Sequence, residues 1–115
     1  DPHQAFLKCQ NHLLALAKAY VDFVVLEQFI KQVNECTDSK LQQNLKVLCD
    51  LYALHTIESH KGWYLEQACM SGSKTRAIRR LVDKLCKKVR NDVACYIEAF
   101  GIPEHCLAAP IATYS

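Results

Sequence analysis

The first sixty residues hold one proline, Pro2, and no glycine. With the two strongest backbone punctuators missing, such a stretch favours long helices that turn only where polar residues cluster. From about Pro2 to Val33, Leu13, Ala17, Tyr20, Val24 and the Phe29/Ile30 pair recur at steps of three and four, the period of one buried helix face. Leu14, Val21, Val25 and Leu26 widen the stripe, so this helix is expected to pack on two sides. Pro2 suits a first-turn position. At 1.5 Å per residue the helix would be roughly 45–50 Å long, the length of a strut in an elongated bundle.

Asn34-Glu-Cys-Thr-Asp38 reads as a short polar turn, which implies an antiparallel neighbour. Ser39-Lys-Leu-Gln42 matches a capping box, and a second helix is expected from about Lys40 to His60. Its stripe is Leu41, Leu45, Leu48 and Tyr52, with Leu48 and Tyr52 central to the core and Cys49, Leu51 and Ile57 alongside. Gly62 to Ser73 is the least regular part, with Trp63-Tyr-Leu65 as a docking helical turn and Ser71-Gly-Ser73 as a capped loop. A third long helix starts near Lys74 and carries Ile78, Leu81/Val82, Leu85 and Val89. A bend or a new helix is expected at Asn91-Asp92, with Val93, Tyr96/Ile97 and Phe100 continuing the stripe. Gly101, Ile102 and Pro103 form a left-handed stop signal. A turn of helix near Glu104–Leu107 and then Pro110 complete the pattern. No strand alternation or repeat appears, so the fold class is all-α, an antiparallel helical bundle in one domain spanning residues 1–115.

Half the residues are hydrophobic and 23% are charged, which suits a globular domain and excludes a disordered chain. No run reaches the 18 apolar residues that suggest a membrane helix, and no signal peptide is visible. The first residue, Asp1, lies only five residues before the helical pattern is under way at Phe6; the expectation is a piece of a longer polypeptide. The seven cysteines are odd in number and form no Cys-x-x-Cys pair, so reduced, intracellular thiols are expected.

Sites of chemistry are sparse. His55 and His60 are five apart and point to different helix faces. No paired carboxylates, metal-ligand spacing or phosphate-cradling glycine loop occurs, so the expected catalytic and metal residues are none. The charge is polarised. Lys74, Arg76, Arg79, Arg80, Lys84, Lys87, Lys88 and Arg90 against Asp83 give +7, while six basic and eleven acidic residues elsewhere give −5. A solvated face, a contact with another domain and a nucleic-acid surface all fit; no interleaved aromatics favour the last. Trp63-Tyr64 is expected to fill the end of the bundle.

Leu45-Lys-Val-Leu-Cys-Asp-Leu-Tyr-Ala-Leu54, Val89 through Pro103, His12-Leu-Leu-Ala-Leu-Ala-Lys-Ala and Pro103-Glu-His-Cys-Leu-Ala-Ala-Pro-Ile-Ala112, in this order, resemble the C-terminal helical domain of the acyl-CoA oxidases, especially the plant-type enzymes for medium and long acyl chains. The wording departs from that pattern at His55 to Tyr64. The resemblance implies a peroxisomal FAD-dependent flavoprotein oxidoreductase of fatty-acid β-oxidation. Its reaction turns fatty acyl-CoA into trans-2-enoyl-CoA and passes the electrons to oxygen, giving hydrogen peroxide. It implies partners too: preceding domains of the same polypeptide, a second copy in a homodimer and the acyl-CoA substrate, with no nucleic acid and no membrane span. The family's catalytic carboxylate and flavin motifs precede this region, so no catalytic residue is carried over and the cofactor-binding residues stay unknown. No Ser-Lys-Leu-type tail is present after Tyr114; peroxisomal location rests on the resemblance alone. From the residues alone, a free-standing helical interaction module remains the alternative.

Overall fold

A computed structural model describes residues 1–107. Five α-helices follow one another: α1 Pro2–Glu35, α2 Ser39–Ser59, α3 Lys61–Glu66, α4 Gly72–Asn91 and α5 Val93–Ala99, then a 3-10 turn at Glu104–Cys106. No strand occurs among the described residues. The all-α class and every long helix agree with the sequence reading. Its expectation at Pro110 and the last residues of the 103–112 stretch lie outside the described residues.

The arrangement is an open antiparallel layer. Central α2 packs against both α1 and α4, which have no comparable contact with each other. Among the described residues only Val33, Cys49 and Val82 are buried, one from each long helix. On α4 the inward row is Thr75, Ile78, Val82, Leu85 and Val89, spaced by three and four as a single helix face requires. Central α2 is half-buried around much of its circumference: Leu45, Val47, Leu48, Leu51, Tyr52 and Ala53 are all intermediate. Leu48 and Tyr52 are thus half-buried, while the buried residue of α2 is Cys49. A helix flanked on two sides has no single core stripe.

The reading of α1 needs a larger correction. Leu13, Ala17 and Tyr20, placed on the buried stripe, are exposed; Val24 and Phe29 of that stripe face inward, together with Leu26 and Val33. Length explains this. At 34 residues against 21, α1 outruns α2 by about 20 Å. All of residues 1–21 are exposed, and Leu14, Val21 and Val25 are 61%, 57% and 43% exposed. The radius of gyration, 18.7 Å, exceeds the about 13 Å of a compact domain this long.

The start of α2 also differs. Ser39 is already helical; the cap is Asp38, whose side chain accepts from the Leu41 N–H at 3.0 Å. A carboxylate there satisfies a first-turn amide and meets the positive helix end. Gln42 is released from the expected box, and its Nε2 donates to the Val33 carbonyl at 2.9 Å, stitching α2 to the last turn of α1. At the other end, Ser71 caps α4 by accepting from Lys74 N–H. The helix breaks at Asp92 as expected. Gly101 takes the left-handed conformation, φ 59°. Ala68, just after α3, takes it too, at φ 54°, and there a Cβ is a steric burden.

Asp38→Ala should lower stability by about 1 kcal/mol, whereas Ser39→Ala should change it by less than about 0.5 kcal/mol. Ala68→Gly should raise stability by about 0.5–1 kcal/mol. Thermal melts followed by circular dichroism compare the three variants.

Candidate functional site: the groove between α1, α2 and α3

Where α1 and α2 diverge, they leave an open groove of about 740 Å³. Along α1 it is lined by His12, Leu16, Ala19 and Phe23, which share one helix face because they lie three and four apart. Tyr52, Thr56 and Ile57 form the α2 wall, and Trp63 and Tyr64 of α3 close the end. The sequence reading placed Trp63-Tyr64 as filler at the bundle end. Instead Trp63 is 57% exposed, and its ring meets Tyr64 edge-on at 5.2 Å. Short α3 carries the pair beside the groove without a helix to cover it.

The polar groups of the groove are largely satisfied by near neighbours. Lys18 and Asp22 pair one turn apart at 3.1 Å. Thr56 Oγ1 donates to the Tyr52 carbonyl at 2.9 Å. His60 Nδ1 lies 2.9 Å from the Thr56 carbonyl; a carbonyl only accepts, so this nitrogen carries the proton. The formal charges of Lys18 and Asp22 cancel, leaving an apolar trough. Nothing in the sequence stripes marked it, because its α1 face is a different face from the Leu13–Tyr20 row. The signal was in spacing: Leu16, Ala19, Phe23 and Leu26 form a second stripe of their own.

A second hollow lies beside Val33, Gln42 and Cys49. Burial, with Asp50 adding to it, pushes the Cys49 thiol above its ordinary value of 9.0. Burial, then Asp92 and Cys95, pushes the Tyr96 phenol above 10.0. Both shifts favour the neutral form, so neither group is an activated nucleophile or base.

All eight cations of residues 74–90 are exposed. On a 100° per-residue wheel, Arg76, Arg80, Lys84 and Lys87 lie roughly opposite Val82, which faces α2. One long ion pair, Arg79 to Glu58 at 4.0 Å, ties the outer surface to α2; such a pair contributes little. An exposed basic face of this kind fits each of the three readings weighed from the sequence.

Among the described residues no three His, Cys, Asp or Glu side chains converge on a possible metal position. The described residues form no glycine loop of the kind that cradles a dinucleotide. Gly62, Gly72 and Gly101 stand apart, with open space around Gly62 and Gly101, so no glycine loop approaches a pyrophosphate. Among the described residues no buried side-chain nitrogen or oxygen lacks a partner, and no helix is long and apolar enough to cross a membrane.

Against known proteins, the acyl-CoA oxidase family model matches residues 1–115. The peroxisomal acyl-coenzyme A oxidase 2 of Arabidopsis thaliana is 39% identical over 111 residues, covering 96% of this chain. The acyl-coenzyme A oxidase-like protein of mouse is 33% identical over 110 residues, covering 96% of this chain. The rat peroxisomal acyl-coenzyme A oxidase 2 is 30% identical over 115 residues, covering 99%. The chain spans only 16%, 17% and 17% of these relatives' lengths. No solved structure matches. The chain belongs to the acyl-CoA oxidase family.

Thiol chemistry checks the burial pattern. Exposed Cys9, Cys69, Cys86, Cys95 and Cys106 should alkylate with iodoacetamide before Cys49, as followed by peptide mass spectrometry. The raised thiol also fixes a sign. An unfolded Cys49 ionises near its ordinary 9.0 and the folded one higher. Its contribution to stability is therefore full below pH 9 and lost as pH rises beyond it. Cys49→Ala should flatten that alkaline decline in melting temperature.

Proposed function

We propose that this chain is the C-terminal helical domain of an FAD-dependent acyl-CoA oxidase. The intact enzyme oxidises fatty acyl-CoA to trans-2-enoyl-CoA in peroxisomal β-oxidation and releases hydrogen peroxide. Residues 1–115 pack against preceding domains of the same polypeptide and stiffen it; a homodimer contact adds to this role. The flavin and the proton-abstracting carboxylate belong to the polypeptide outside these residues.

The observation that carries this reading is the family match over residues 1–115, joined to a structure that supplies packing surface and no convergent titratable group. Relatives named as peroxisomal oxidases support the location. The exposed α1 face suits packing on a neighbour. It suits a free-standing interaction module as well, so the experiment must separate the two.

The intact polypeptide, purified with its flavin, should bleach the flavin spectrum on adding long-chain acyl-CoA under nitrogen, and should release peroxide once air is admitted. The 115-residue piece with added FAD should do neither. Flavin binding and peroxide production by the piece alone would overturn the assignment of roles. An intact polypeptide that contains no flavin domain would favour the interaction module.

A further inference from the structure

The functional proposal leaves open what fills the groove. About 740 Å³ lies open between α1, α2 and α3, and its walls are mostly apolar. Its lining includes the small Ala15 and Ala19 of α1 and Ala53 of α2. Small side chains let a third helix approach at the short end of the usual 8–10 Å spacing. Leu16, Phe23, Ile57 and Trp63 stand along its sides and would interdigitate with aliphatic residues of that helix.

Charge decides between a helix and the anionic substrate. The only lysine of the groove, Lys18, is paired to Asp22 at 3.1 Å, so no free ammonium awaits a phosphate. The groove is open along its length rather than enclosed, so it would not shield an acyl chain from water.

Extent points to the source of the helix. The accessible surface is 9674 Å² for 13.1 kDa, against about 6,400 Å² for a compact monomer of this mass. That excess is spread over the whole open layer, and exposed Leu16, Phe23 and Trp63 beside the groove contribute to it. The relatives matched here are about six times as long as the chain, so ample polypeptide exists to supply the helix. Resting on the reading above, we infer that the groove seats one amphipathic helix from elsewhere in the same polypeptide. That helix lays an i, i+3/i+4, i+7 apolar stripe between α1 and α2 and against Trp63.

Photo-cross-linking tests this on the full-length polypeptide. Benzoylphenylalanine replaces Leu16 or Trp63 in separate variants, and Arg80 in a control on the outer face of α4. After irradiation, denaturing gels and peptide mass spectrometry locate the bond. Links from positions 16 and 63 should stay within one chain and fall on one segment with helical apolar spacing, at least tenfold above any link from position 80. A link joining two copies, a link to added acyl-CoA, or no link above the control would each overturn the inference. Peroxide release by the same preparations reports on the oxidase reading separately, so either idea can fail alone.

Discussion

Everything in this fold leans on α2. Among the described residues it is the one element that packs closely on two others, and its Cys49 forms the buried core with Val33 and Val82. Two flanking helices on one central helix make a layer, and a layer has two faces. Burial of apolar area is the main favourable term in folding, so a layer this thin gains little of it from its own residues. The exposed apolar row of α1, the bare Trp63 and the exposed Val93, Ile97 and Phe100 of α5 are different parts of one geometric fact.

Local signals were legible where one residue type decides the backbone. The left-handed Gly101, the Ser71 cap and the break at Asn91-Asp92 all depend on side chains within a few residues. The shift of the α2 cap from Ser39 to Asp38 shows the limit of such reasoning: adjacent residues were both competent caps, and only the path out of α1 chose between them. Left-handed Ala68 gave no signal, because the residue is no favourite of that conformation.

Tertiary facts were harder to see. Periodicity says that a face is apolar; it does not say which of two apolar faces meets a neighbour. On α1 the Leu13–Tyr20 row and the Leu16–Phe23 row both had helical spacing, and the shorter length of α2 left both without close cover. The groove depends on how far two helices diverge, a quantity no local pattern encodes. The family was legible because an ordered set of packing motifs is more specific than any one of them, and the family match over residues 1–115 agrees with it. The sequence offered no reacting cluster to place.

The unsupported half of α1 has a dynamic consequence. Residues 2–20 are held by their own i→i−4 ladder and by the Asp1 side chain, which accepts from His3 N–H at 3.1 Å. A helical segment of that length without tertiary support is near the margin of helix–coil stability in water. The Val33 end, clamped by Gln42, acts as a standing nucleus, so order propagates backward from it. In the 115-residue piece on its own, fraying should deepen with distance from the Val33 clamp, and a helix seated over Leu16 and Phe23 would suppress it. In amide hydrogen exchange this is a graded slope of protection along one continuous helix rather than a single cooperative step.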